Sequence, residues 1–222
     1  MPLILSIETS TKVCSVALHK DSVLLACSEI LIEKSHSTYI TILIDNIVKQ
    51  SGEALKNIDA VAVSKGPGSY TGLRIGASTA KGLCYALDKP LIAVNTLEAM
   101  AYEVSRYSKD DSLLCPMIDA RRMEVYFTLI DSTGIIMEPT QAKVIDEHSF
   151  SELLKEKKVI FFGDGAGKCK DVLKGNAFFV NDVFPSAKNI GALALSKFDK
   201  SQFEEVAYFE PFYLKDFVRF GQ

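Results

Sequence analysis

Short apolar runs separated by polar turns open the chain. In PLILSIETSTKVCSVALHKDSVLLACSEILI an apolar run meets a polar turn at 9–12, an alternating run passes through His19, and a Lys20-Asp21 turn leads into a third apolar run. That spacing predicts three strands in a meander. The pattern next predicts a helix over 36–51, a buried strand at IDAVAVS (58–64), a glycine-rich loop and a helix over 72–88. From Leu113 the order starts again. LLCPMIDARRMEVYFTLIDSTGIIMEPTQAKVI holds an apolar run ending in an acid, a polar turn, an alternating run, a turn at Ser132-Thr133-Gly134 and a third strand. A shorter helical stretch, the strand VIFFGDG and another helix follow. Glu8 and Asp119 therefore end equivalent first strands in two β-β-β-α-β-α halves. The expected fold is α/β, with two duplicated lobes at 1–105 and 106–222, each a mixed sheet with flanking helices. A sheet with one bare face requires such cover.

The two helices of the first half carry more apolar surface than one core face uses. At 100° per residue, Ile40, Leu43, Ile44 and Ile47 form the inward stripe of the first, leaving Tyr39, Ile42 and Asn46 well off it. In the second, Leu73, Ala77, Ala80, Cys84 and Leu87 form one stripe, and Ile75, Thr79, Gly82 and Ala86 form another opposite. Either the rest of the chain covers that second face or another subunit does; the sharper expectation is a partner interface.

Composition narrows the setting. With 222 residues, 48% of them hydrophobic and 24% charged, the chain has the length and the apolar content for a substantial core. MPLILSIETSTK lacks the basic start of a secretory signal, and no apolar run reaches membrane-spanning length. Five cysteines without a CxxC pair fit neither a disulfide framework nor a zinc site. A soluble protein of the reducing cytoplasm is expected, with no membrane contact. A net charge of −3 argues against holding nucleic acid unaided, so any RNA contact is expected through a partner.

The stretch SKGPGSYTGLRIG (64–76) raises the question of phosphate binding. Gly66 and Gly68 allow unusual backbone angles, Gly72 lies in the first helical turn, and Ser69 or Thr71 can cap the helix. A helix N-terminus with little side-chain bulk is what an anion needs. The spacing and lysine of G-x-x-x-x-G-K-[ST] are missing, however, and a strand-to-helix turn that fixes lobe geometry explains the glycines without a ligand.

Candidate catalytic groups are few. Glu8 and Asp119 either face each other across a cleft, to handle a proton or Mg²⁺, or close their own turns and meet Arg121 and Arg122; the second is favoured. No G-x-S-x-G elbow or Cys/His pairing marks a nucleophile. The three histidines, His19, His36 and His148, have no ligand spacing, and Ile40 stands four residues after His36, which reads as a cap or surface contact. Neither metal nor cofactor is expected.

The duplicated plan resembles the actin/Hsp70/sugar-kinase superfamily of ribonuclease H-like folds. More narrowly, GPGSYTGLRIG, MIDARRMEVYF and the late PFYLKD resemble the bacterial TsaB (YeaZ) family, which serves synthesis of threonylcarbamoyladenosine at position 37 of ANN-decoding tRNAs. The superfamily resemblance implies an interlobe nucleotide cleft, with glycine-bearing phosphate turns after the two acids in active members. Here those turns are Thr9-Ser10-Thr11-Lys12 and Ala120-Arg121-Arg122-Met123, without glycine, while GDGAGK on the adenosine side keeps Gly163, Gly165 and Gly167. Glu8, Ser10, Thr11, Asp119, Gly163 and Gly165 thus outline a degenerate nucleotide cleft. The catalytic relative of that pathway holds a metal through two histidines spaced i, i+4, a pair this chain lacks. The resemblance implies a pseudo-enzyme scaffold, with Gly66, Gly68 and Gly72 structural. It would bind and activate the catalytic homologue TsaD, permit binding of the ATPase TsaE, meet tRNA through the complex and form a homodimer when alone. An independent ATPase or small-molecule kinase of the same fold, and a self-associating structural module, are the alternatives.

Overall fold

A computed structural model describes residues 1–32, 36–108 and 111–215. The first half runs β1 (Leu3–Glu8), β2 (Cys14–Lys20), β3 (Val23–Ile30), α1 (His36–Gln50), β4 (Ala60–Gly66), α2 (Tyr70–Leu87), β5 (Leu91–Asn95) and α3 (Thr96–Ser105). The second runs β6 (Leu113–Asp119), β7 (Glu124–Ile130), β8 (Ile136–Val144), α4 (Ser151–Glu156), β9 (Val159–Phe162), β10 (Ala177–Val180) and α5 (Ala187–Asp199). The strands form two five-stranded sheets, ordered β3-β2-β1-β4-β5 and β10-β9-β6-β7-β8. In each, three strands form an antiparallel meander, and two more join parallel to the first strand. Position by position the two sheets are copies, and Glu8 and Asp119 end equivalent strands.

Burial on both faces explains why β1 and β4 read as unbroken apolar runs. Leu5, Ile7, Val16, Leu18, Val61 and Val63 pack against α1 and α2 on one face. On the other face Ile4, Ala60, Ala62, Ile92 and Val94 meet Ile190 and Ala194 of α5. α3 turns the other way, placing Leu97, Met100 and Ala101 on Leu114, Ile118 and Phe162 of the second sheet. The helix that ends the second half therefore covers the first sheet, and the helix that ends the first half covers the second. Glu103 of α3 holds Lys188 at 2.8 Å and Asn189 at 2.6 Å on α5, tying the two helices together.

Three elements exceed the sequence expectation. β5, α3 and β10 were not anticipated, although Asn95 and Glu98 form the spaced pair typical of a helix start. Asn95 caps α3 by accepting the Leu97 and Glu98 amides. The helix expected directly after VIFFGDG is only a 3-10 turn, Gly167–Cys169. Two glycines, Gly165 and Gly167, interrupt its start, and glycine in a helix carries a large entropic cost.

Candidate functional site

The glycine loop and the first-strand turn are one packed unit. β4 delivers the chain at Gly66 with φ +110°, a left-handed angle that favours glycine. Gly68 and Gly72 have no such angle, contrary to the expectation for Gly68. Close approach is their requirement: a Cβ on Gly68 would collide with the Ser10 carbonyl, and one on Gly72 with the Thr9 carbonyl. Gly76, one turn further along α2, faces the Thr9 hydroxyl in the same way. The Ser69 amide donates to the Ser10 carbonyl at 2.6 Å, and the Thr9 hydroxyl donates to the Gly72 carbonyl at 2.8 Å. Ser69 is the N-cap of α2, accepting from the Gly72 amide at 3.4 Å. The first turns of α2 are thus docked on Thr9 and Ser10 through Ser69, Gly68, Gly72 and Gly76.

The turn itself is closed from within. Glu8 Oε1 accepts the Ser10 amide at 2.5 Å and the Ser64 hydroxyl at 3.0 Å. Glu8 and Ser10 are fully buried, and Thr11 is 8% exposed. Burial pushes the Glu8 carboxyl above its ordinary range, against the lowering effect of those hydrogen bonds, and its Oε2 has no partner. His36, expected as a cap or surface contact, is buried, so the surface half of that expectation is corrected. Its ring nitrogen sits 2.8 Å from the Thr11 carbonyl and anchors the start of α1 to the same turn.

The second half repeats the motif in the open. Asp119 Oδ1 accepts the Arg121 amide at 2.7 Å, the counterpart of Glu8 and Ser10, and takes Lys168 Nζ at 2.5 Å. Its side chain is 50% exposed. Arg121 and Arg122 both have positive φ, 72° and 48°, where glycine is preferred. Gly163, at φ +97°, packs on the Met117 carbonyl, and Gly165 packs on the backbone of Ile118. Across the lobes, Lys12 lies over the Phe184 ring at 4.8 Å and lowers the carboxyl of Asp164, which burial raises more strongly.

These residues do not fit a nucleotide in the manner of the fold. A phosphate cradle needs free amides and bare backbone at the two turns. The Ser10 and Arg121 amides are taken by carboxylates, the first turn is covered by α2, and the second carries two arginines. Nor is a thiol prepared for attack: burial raises Cys14, Cys84, Cys115 and Cys169, with Cys14 and Cys84 pushed up to about 11, and Cys27, at the surface beside Glu29, is also raised to about 11. Among the described residues no group of three His, Cys, Asp or Glu side chains is arranged to hold a metal.

The helical face is the remaining candidate. α1 and α2 lie side by side on the first sheet, and their inward stripes are buried as expected, except that Leu87 at the end of α2 is half-buried. Tyr39, Ile42 and Asn46 on α1 and Gly82 and Ala86 on α2 are exposed; Thr79 is half-buried. Ile75 departs from expectation, packing partly against the core. Sequence reasoning missed Tyr85, 88% exposed beside Gly82, because it sits between the two stripes. It also missed the C-terminal segment. Val206 and Phe209 pack on the core under α2, Lys81 Nζ donates to the carbonyls of Ala207 and Phe209, and the Phe212 amide donates to the Lys65 carbonyl. Tyr213 then meets Tyr70, and Lys215 pairs with Glu124 on β7. This segment contains PFYLKD, whose last residue, Asp216, lies outside the described residues.

Comparison with known proteins agrees with this architecture. The family model described as TsaD, tRNA N6-adenosine threonylcarbamoyltransferase, matches residues 30–217. The chain is 34% identical over 223 residues to the tRNA threonylcarbamoyladenosine biosynthesis protein TsaB of Escherichia coli, covering 97% of this chain and 95% of that one. Among solved structures, a Pseudomonas aeruginosa protein described as similar to peptidase YeaZ superposes with a TM-score of 0.86 at 25% identity, over 97% of this chain and all of the other. The activator of 2-hydroxyisocaproyl-CoA dehydratase from Clostridium difficile, solved with bound ADPNP, shares the fold alone, with a TM-score of 0.54 at 10% identity over 90% of this chain and 97% of that one. A duplicated actin-like α/β fold with full-length similarity of this kind leads to one assignment: the chain belongs to the TsaB family of tRNA threonylcarbamoyladenosine biosynthesis proteins.

Proposed function

We propose that the chain is a non-catalytic partner subunit in tRNA threonylcarbamoyladenosine synthesis, docking and activating a catalytic homologue, TsaD, through the outward face of α1 and α2. One observation carries this. Gly82 stands in the interior of an exposed helix with nothing within 4 Å of the place a Cβ would occupy, so neither backbone angle nor intramolecular crowding requires glycine there. Glycine at such a position costs about 1 kcal/mol against alanine, which a close-approaching partner helix would offset. Exposed Tyr39, Ile42 and Tyr85 around it supply the apolar and aromatic area that interface cores favour. The match to the transferase family model over 30–217 supports a partner of like architecture.

The turn amides engaged by Glu8 and Asp119 support a scaffold without its own nucleotide chemistry. In this reading TsaE and tRNA meet the chain within the complex, in the cytoplasm, and the same helical face serves a homodimer when the partner is missing. The lobes divide at 105/106 in sequence, with α5 returning to the first sheet. Ile42→Glu and Gly82→Arg test the docking face. Both variants are expected to keep the parent's circular dichroism and to lose co-elution with TsaD in size-exclusion chromatography. Folded variants that still co-elute put the interface elsewhere.

A further inference from the structure

A cavity of about 430 Å³ lies between α2 and the C-terminal segment. Its wall carries three cations, Arg74, Lys81 and Lys215, and one carboxylate, Glu210. Lys215 is already compensated by Glu124. The other two cations have neutral partners. Arg74 lies over the Tyr70 ring at 4.8 Å with Tyr213 beside it, while Lys81 donates to two backbone carbonyls. Among the described residues neither has a carboxylate within ion-pair distance. A guanidinium and an ammonium converging on one cavity create a positive potential there, and covering the cavity with another surface would strengthen it.

We infer that this cavity receives an aspartate or glutamate side chain of the partner subunit that docks on α1 and α2, an inference that rests on the docking face proposed above. Ser78 and Tyr85 join the cavity rim to the Gly82 face along α2, so one partner surface can cover both. The planar guanidinium of Arg74 offers a carboxylate two parallel hydrogen bonds, and Lys81 adds a point charge. A nucleic-acid backbone is a poorer occupant. It calls for a line of uncompensated cations and open aromatic faces, whereas here one cation is paired, Glu210 intrudes, and Tyr70 and Tyr213 contact each other at 4.8 Å.

The test titrates the folded full chain with TsaD at low and high salt, using Arg74→Glu, Arg74→Gln and Lys81→Gln. The expected result is a loss of affinity on the order of tenfold or more for Arg74→Glu, with a smaller loss and a shallower salt dependence for both glutamine variants. An acid-to-lysine substitution on the partner should restore binding to Arg74→Glu. If Arg74→Glu and Arg74→Gln bind like the parent while Gly82→Arg does not, the cavity lies outside the interface and only the docking face stands. If Gly82→Arg also binds like the parent, the docking face itself is wrong and this inference falls with it. Inorganic phosphate, AMP or tRNA bound by the isolated chain and lost in Arg74→Glu, with TsaD affinity unchanged, would make the cavity a site for that ligand and overturn the inference.

Discussion

The Thr9 hydroxyl donates to the Gly72 carbonyl at 2.8 Å across 63 residues of sequence, and the Thr9 carbonyl in turn occupies the space a Cβ on Gly72 would need. The first-strand turn and the first turn of α2 are thereby locked into each other. The close approach of the Thr9 carbonyl to Gly72 is backbone on both sides, which cannot swing aside as a side chain can. The space beside the first-strand turn is filled by the protein's own helix.

Two alanine substitutions separate packing from partner contact. Gly72→Ala is expected to lose about 1–3 kcal/mol of stability, the usual cost of forcing atoms into a filled site. Gly82→Ala, in open space on the same helix, is expected to gain up to about 1 kcal/mol from helix propensity alone. Denaturant unfolding of both variants decides the matter; a Gly72→Ala protein as stable as the parent would show that the loop can yield.

Glu8 imposes a pH dependence of definite sign. A glutamate in the unfolded chain titrates near 4.5, whereas the buried Glu8 holds its proton to higher pH. A carboxyl raised in the folded state withdraws stability as pH climbs above 4.5 and stops doing so once its folded pKa is passed. Glu8→Gln should therefore lack this decline and exceed the parent in stability at neutral pH. Glu8→Ala leaves the Ser10 amide and Ser64 hydroxyl without an acceptor and should be less stable by about 1–3 kcal/mol. Urea midpoints measured across the acid-to-neutral range test both; an unchanged slope in Glu8→Gln assigns it to another group.

Nucleotide binding is the third expectation. With the Ser10 and Arg121 amides engaged by Glu8 and Asp119, calorimetry of the isolated chain with Mg-ATP should give no measurable heat, and no hydrolysis should follow. Tight, Mg²⁺-dependent binding that disappears on Asp119→Ala would revive the kinase alternative.

Local pattern was enough for the duplicated meanders, α1, α2 and the matching ends at Glu8 and Asp119, because period-two and period-3.6 burial is written directly in residue order. The absence of glycine after both acids was equally visible in residue order. Other features depended on contacts between distant segments. Gly66 and Gly68 looked like residues chosen for unusual angles, yet only Gly66 has one; the carbonyls of Ser10 and Thr9, some sixty residues earlier, decide Gly68 and Gly72. His36 looked superficial until the Thr11 carbonyl lay against it. Gly191 of α5 sits where a Cβ would strike His19 and Ser6, so the last helix meets the first two strands at a distance no local window reports. The C-terminal segment has no periodicity to betray it; its place beside α2 is set by Lys81 and Tyr70, far upstream. Residue order determined the two-lobed plan and its altered turns, since hydrophobic period acts within a few residues. Tertiary structure decided which helix covers which sheet, which acid is buried, and which face of α2 stays open, since those depend on how whole elements pack.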